Sequence, residues 1–546
     1  MAILKSFLEL NRPFKVICKR CLNSSAQFTD VLTSETCEVG ESAQIKKIKP
    51  YEDIPGPKPL PLLGNNWRFI PYIGDFQIEH IDKVSKKLYT KYGKLVKVGG
   101  LFGRPDMLFL FDPDEIEKVF RKEDALPLRP SMPSLNYYKH NLRKEFFGDL
   151  GGVISVHGQN WQKFRSKVNQ IMLQPRSAKM YAQVILETAE KFVERIGGLR
   201  NDASEMPDNF LNEIHRWSLE SLARIALDIK MGCLEEHPPA DTQRLIDAIN
   251  TFFINVPILE LKIPFWRVFP TSTFNRYIEA LDSIREICLK YINKSMDNLN
   301  LEANDDQLSV MQKVLKRENN VKLASILALD LFLVGVDTTS NAVASILYQL
   351  SINPKKQQLL HEELDRILPN ADSKLTIDKL DEMSYLKACI KETMRMFPVV
   401  IGNGRQTSSD CVIGGYNVPK GVQIVFQHFV ISNQEEFFSE SDKFLPERWL
   451  KECQMTKTHH PFACLPFGFG KRMCLGKRFA ELEIQTLLAT VPQSHGKRRT
   501  RQRVDWNARR GQGNVQIADV TESLSTENSG WNYDRPLRSE QTPTAT

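Results

Sequence analysis

The stretch from Pro466 to Ala489, PFGFGKRMCLGKRFAELEIQTLLA, holds the residue types and spacing best suited to chemistry. Phe467, Gly468, Phe469 and Gly470 form a tight aromatic–glycine loop, and Cys474 sits just before a helical run through Phe479, Leu482, Ile484 and Leu488. A sulfur in that position faces backbone N–H groups, which lower its pKa and accept its negative charge. Such a thiolate would be a strong axial donor to iron. Gly470 and Gly476 would let a flat cofactor come close to the backbone. Arg472 can then reach a carboxylate of that cofactor with its planar fork. No Cys-x-x-Cys or close Cys/His set surrounds Cys474, which argues against zinc. Cys464 lacks the following glycine and helix start.

Three further constellations are weak alone. Glu392 and Arg395 are three apart in LKACIKETMRMFP, so they share a helical face and can pair, as many surface residues do. In VGVDTT, Gly335 would remove a side chain where a ligand must pass, at about 1 kcal/mol of helix propensity. Asp337 and Thr338 make an acid–alcohol pair able to deliver protons to bound oxygen. The same residue types also bond their own helix backbone. Trp161 and Arg165, four apart in HGQNWQKFRSKV, read by themselves as a core anchor and a surface residue.

The elements that must position these residues follow from pattern. The chain has 546 residues, 42% of them hydrophobic and 25% charged, with a formal charge of +7. That describes a globular protein with a large core, and the charge is too dilute to argue for nucleic acid. Ten cysteines are spread thinly, without the density of a disulfide scaffold. Residues 1–28 are basic, amphipathic and nearly free of acid, the texture of a mitochondrial targeting segment. They are too short and too charged for a span of about 20 apolar residues. Residues 29–53 read as a polar linker, 54–490 as the main domain, and 491–546 as a polar, Arg-rich tail expected to be disordered. Alternating runs at 94–98 and 107–110 predict a strand pair, and Asp112 with Pro113 predicts a capped helix start. Helical periodicity dominates 161–368, including a long apolar segment from Val321. Another helix is expected from Tyr385 to Phe397, then short strands through CVIGGYNVPKG and VQIVFQHFV. The expected fold is mainly α with a small β-rich part.

The run Phe467-x-x-Gly470-x-Arg472-x-Cys474-x-Gly476 resembles the signature of the cytochrome P-450 superfamily, and the resemblance extends from about Ile54 to Ala489. The segments KEDALPLRPSMPSLNYYKH and GDLGGVISVHGQNW look most like insect mitochondrial members. The resemblance implies the cytochrome P-450 fold, with a long core helix crossing over haem b, and Cys474 as axial ligand of the iron. It implies Trp161, Arg165, Arg405 and Arg472 beside the haem propionates, while His157 is structural. Asp337 and Thr338 would serve oxygen activation, although Val334 stands where the family usually has Ala or Gly. Glu392, Arg395 and Arg448 would form a buried charge network behind the haem. Lys387, Lys391, Lys477 and Arg478 would receive a ferredoxin, fed in turn by its NADPH reductase. Residues 126–150, 326–334 and 399–402 would line a cavity for lipophilic substrates: xenobiotics such as insecticides, or steroid-like hormones. The implied location is the matrix side of the mitochondrial inner membrane, attached peripherally. After Thr490 nothing matches the family's closing hairpin, which leaves open a weakly active haem-binding variant or a carrier-independent isomerase or peroxygenase.

Overall fold

The structure, a computed structural model, describes residues 48–496 apart from 71, 131, 202–205, 300–301, 303, 371–372 and 452–458. The expected targeting segment, most of the linker and nearly all of the tail lie outside the described residues. Helices dominate: α1 (Ile81–Tyr92), α2 (Pro113–Arg121), α3 (Gly158–Leu173), α4 (Ala182–Leu199), α5 (Phe210–Leu227), α6 (Ala240–Leu261), α7 (Ser272–Asp297), α8 (Val310–Glu318), α9 (Val321–Ile352), α10 (Pro354–Ile367), α11 (Ser384–Met396) and α12 (Lys477–Gly496). The strands are β1 (Leu95–Val98), β2 (Met107–Leu110), β3 (Asn403–Gln406), β4 (Cys411–Ile413), β5 (Tyr416–Val418) and β6 (Gln423–Phe426). The expected mainly α architecture with a small β part is therefore present.

Local chemistry explains the element boundaries. Asp112 caps α2 by accepting from the Asp114 N–H at 3.0 Å, and Pro113 occupies the first turn, where its missing N–H costs nothing. Ser309 and Gln312 make a reciprocal capping box at the start of α8. Asn320 caps α9 through the Leu323 N–H at 2.8 Å. The 32 residues of α9 are buried around most of the circumference, because α5, α6, α7, α8, α10, α11 and α12 all pack against it. No helix among the described residues is long and apolar enough to cross a membrane.

The larger sheet has the order β1-β2-β6-β3. β1 and β2 pair antiparallel as expected, with Leu95 opposite Leu110, and β2 pairs parallel with β6, placing Leu108 beside Ile424. β4 and β5 form a hairpin whose two turn residues, Gly414 and Gly415, have φ of 57° and 83°, the left-handed pair that a tight turn of this twist needs. The strand expected to run through QHFV instead ends at Phe426, and His428–Ser432 is a helical turn. Its end is held at α11: Ser432 Oγ donates to Arg395 O at 2.7 Å and Asn433 Nδ2 to Met396 O at 3.1 Å. Lys49, ahead of Ile54, bridges to Tyr416, and α12 runs on past Thr490 to Gly496.

Candidate active site

Four guanidiniums, those of Arg129, Arg165, Arg405 and Arg472, gather around the loop that carries Cys474. Trp161 and Arg165 lie on the buried face of α3, Arg405 projects from β3, and Arg472 ends the short turn Gly470–Arg472. Gly468 and Gly470 permit that loop, with φ of 68° and 74°. A Cβ on Gly470 would also stand 2.8 Å from Glu123 Oε2, so a side chain is excluded there by Glu123 as well as by the backbone. Arg472 stacks over Trp161, 3.7 Å from the ring centre, and donates to Pro127 O at 3.2 Å and Val156 O at 3.0 Å. Arg165 Nη2 donates to Met473 O at 2.8 Å. Arg405 forms an ion pair with Glu123, and Arg129 reaches Ile154 O at 3.5 Å.

Among the described residues the cluster holds fewer anions than guanidiniums. Glu123 is the carboxylate that answers Arg405, while burial first, and repulsion by one another second, depress Arg129 and Arg472 below the ordinary arginine range. A guanidinium keeps its proton in proteins, so this arrangement calls for added negative charge. His157 and His428 are pushed down to about 4, by burial and then by the neighbouring arginines, and stand neutral. Trp161 Nε1, Arg165 Nε, Arg129 Nε and both ring nitrogens of His428 are buried with no hydrogen-bond partner among the described residues. Buried donors of this kind are costly unless something binds them.

Cys474 lies deep in the protein yet keeps an exposed face, and a Cβ on the nearby Gly476 would meet nothing within 4 Å. Its thiol is raised by burial, against the opposing pull of the Gly476 and Lys477 N–H groups and of Arg165 and Arg129. The N–H groups act in the expected, lowering direction, and burial works against them. Cys464, in contrast, is pushed up to about 12 by burial, with only the Arg395 charge opposing. The donor set fits haem b, a planar group with two carboxylates for the guanidiniums and a metal for the sulfur. A coordinated metal would also reverse the balance at Cys474, since a ligating thiol loses its proton outright.

The cytochrome P450 family profile matches residues 54–495. The chain belongs to the cytochrome P450 family. It is 48% identical over 489 residues to "Probable cytochrome P450 49a1" of Drosophila melanogaster, covering 86% of this chain and 83% of that one. It is 49% identical over 456 residues to "Probable cytochrome P450 301a1, mitochondrial" of the same species, covering 82% of each. "Cytochrome P450 12b1, mitochondrial" of Drosophila acanthoptera is 34% identical over 455 residues, covering 81% and 84%. This P450 is accordingly a haem-thiolate oxidoreductase with haem b as cofactor.

The remaining residues of interest in the P450 fall at three places. On α9, Thr338 Oγ1 donates back to Val334 O at 2.7 Å, and Asp337 Oδ1 accepts from Asn341 Nδ2 at 3.0 Å with His215 Nε2 at 3.5 Å. Gly335, expected to clear a path for a ligand, faces α5 instead: its Cβ would lie 3.2 Å from Leu222 Cδ2, so the small residue permits close helix packing. Behind the cysteine loop, Glu392 accepts from Arg395 Nε and Nη2, Arg448 Nε and Trp449 Nε1, each at 2.9 Å, and from Leu445 N at 3.1 Å. At the surface, Lys387 touches Asp381, Lys391 lies over Trp449, and Lys477 and Arg478 approach Glu481 at 3.8 and 3.9 Å. Arg129 and His428 were not singled out from the sequence. Arg129 carried a faint signal, as the charge between Pro127 and Pro130, and His428 carried none.

Proposed function

We propose that this P450 is a mitochondrial monooxygenase of lipophilic substrates, fed by a ferredoxin and its NADPH reductase, with Cys474 as the axial ligand of the haem iron. The observation that carries the reading is the gathering of four buried guanidiniums, with unpartnered N–H donors among them, around the loop that carries Cys474. Arg129, Arg165 and Arg472 would hold the propionates, with Trp161 Nε1 as a further donor and Arg405 kept in place by Glu123. The Gly476 and Lys477 N–H groups temper the charge on the sulfur. When bound, haem b supplies oxygen activation and transfer of one oxygen atom to a C–H or C=C bond. Thr338 keeps its lone pairs free as acceptors while its own proton is lodged on Val334 O, and Asp337, steadied by Asn341, holds the next acidic site one residue away. The pair can thus hold and release protons on a helix that is largely buried.

Several features support the finer points. The relatives named mitochondrial align with 81–82% of this chain, and basic Lys387, Lys391, Lys477 and Arg478 lie on α11 and α12, which pack together. A basic face speeds encounter with an acidic carrier. Exposed Leu62, Tyr72, Ile73, Phe102, Val268 and Phe269 support peripheral membrane attachment. They belong to one face, since Asn65 N donates to Gly100 O, and Arg104 Nη2 and Arg267 Nη1 join the 100–104 turn to the chain at 259–267. The deciding experiment is the reduced carbon-monoxide difference spectrum of wild type and Cys474→Ala. A band near ~450 nm in wild type that is lost in the variant is expected of thiolate ligation. A variant that retains the band removes Cys474 as ligand, and turnover without ferredoxin removes the proposed carrier.

A further inference from the structure

Between the short helical turn Pro175–Lys179 and α4 the chain turns at Met180 and Tyr181. Met180 stands 38% exposed, the one exposed methionine among the described residues. Tyr181 is buried: its Oη donates to Leu308 O at 2.8 Å, and its ring packs against Phe479 on α12. Lys313, from α8, meets both. Its Nζ lies 4.4 Å above the centre of the Tyr181 ring and 3.8 Å from Met180 Sδ. The stem of Lys313 is held in place, because the capping box of Ser309 and Gln312 sets the first turn of α8, and Lys313 N donates to Ser309 O at 3.0 Å. This buried cation is poorly matched. Asp305 and Asp306 act on it only from a distance, and Asp305 is already paired with Lys316 at 3.0 Å. Among the described residues its close partners are an aromatic face and a thioether, and a thioether is a weak acceptor. Burial pushes the ammonium down to about 8 from 10.5, so it releases a proton more readily than a surface lysine does. A strong neutral acceptor at the sulfur is what the arrangement lacks. A sulfoxide would supply one, and on an exposed side chain its polar oxygen need not leave water.

We propose that Met180 is an oxidation site for small hydroperoxides, with Lys313 as proton donor to the peroxide and as hydrogen-bond partner of the sulfoxide formed. The sulfur attacks one peroxide oxygen; the S–O bond forms as the O–O bond breaks, and the sulfur gives up the two electrons that the peroxide gains. With hydrogen peroxide, the departing hydroxide takes a proton from Lys313 Nζ and leaves as water, and the proton on the sulfur-bound oxygen returns to Lys313. The sum is thioether plus peroxide giving sulfoxide plus water. Two electrons and two protons added to dioxygen without transfer to substrate make hydrogen peroxide. That source rests on the monooxygenase reading, whereas the chemistry at Met180 does not. Oxidation then tightens the contact between α8 and the turn before α4, the reverse of its effect on a methionine inside a core. In the test, the full chain is treated with hydrogen peroxide, with imidazole added to keep the haem iron out of the reaction. Sulfoxide formation is followed at each methionine by peptide mass spectrometry, with N-acetylmethionine amide in the same solution as reference. Exposure alone cannot carry a methionine past this free reference. Met180 is expected to outrun it by about tenfold, a small share of what a positioned acid can give, and to fall to the reference rate or below in Lys313→Gln. Met180 no faster than the reference, or equally fast in wild type and Lys313→Gln, would overturn the proposal. Should Lys313→Gln fail to fold, Met180→Gln and Met180→Leu decide. A carbonyl oxygen in place of the sulfoxide should raise the urea midpoint above that of the leucine variant, and an equal or lower midpoint overturns the capture by Lys313.

Discussion

Replacing Glu392 with Gln tests how much of the fold depends on one carboxylate. Glu392 and Arg395 are both 0% exposed, and five N–H groups converge on the two carboxylate oxygens. Gln has the same shape but must put an NH2 group where one oxygen was. If that is the Oε2 side, Arg395 Nε and Trp449 Nε1 lose their acceptor; if the Oε1 side, Arg395 Nη2, Arg448 Nε and Leu445 N do. Either way donors face a donor, and two buried guanidiniums keep their charge without the counter-charge. Removing one partner of a buried pair costs about 3–5 kcal/mol, against a total stability of about 5–15 kcal/mol for a domain. Glu392→Gln should therefore remove a large share of the stability. The assay is equilibrium urea unfolding of the haem-loaded protein, followed by far-UV circular dichroism and by tryptophan fluorescence to check for coincident transitions. A loss below about 1 kcal/mol, the worth of a solvent-exposed pair, would refute the reasoning.

Thr338→Ala should lower the product formed per electron consumed while leaving the carbon-monoxide difference spectrum intact; unchanged coupling removes the proposed proton role. Glu483, buried on α12 with Ser221 Oγ donating to it at 2.6 Å, is raised by burial to about 7 from 4.5. The folded chain then holds this proton more tightly than the unfolded one, so the contribution is complete below about pH 4.5 and is lost as pH rises through about 7. Glu483→Gln should flatten stability across that window and be more stable than wild type above it, by up to about 3 kcal/mol, measured from urea midpoints on either side; parallel profiles for the two proteins would count against the buried carboxyl. For the exposed apolar face, flotation with lipid vesicles should fall when Leu62 and Phe269 are both changed to Asp. Equal flotation would show that attachment lies elsewhere.

The cysteine loop was legible in the sequence as a tight aromatic–glycine turn, and Gly468 and Gly470 make that turn with positive φ. The caps at Asp112 and the strand pair 95–110 were legible for the same local reason. Glu392 and Arg395 could be placed on one helical face, but Trp449 and Leu445 as further donors to Glu392 follow only from the tertiary fold. Arg129 enters the arginine cluster through the bridge between Leu128 and Gln406, and His428 through the turn after β6. Contacts between residues so far apart in the chain leave no periodicity to read. The direction of a residue on a helix buried all round is equally hidden, which is why Gly335 faces α5 rather than a ligand path, and why Asp337 lies near His215. The net direction of the Cys474 thiol turned on depth, a property that no spacing encodes.

β2 and β6 are parallel neighbours in the sheet, Leu110 beside Phe426, although about 300 residues separate them along the chain. At a synthesis rate of about 5–20 residues per second, roughly 15 s to a minute passes before β2 receives that partner. Throughout that interval the β1–β2 hairpin presents an open apolar edge, the kind that recruits other strands. A chain halted before Gln423 would thus be headed for aggregation, not for a smaller folded product.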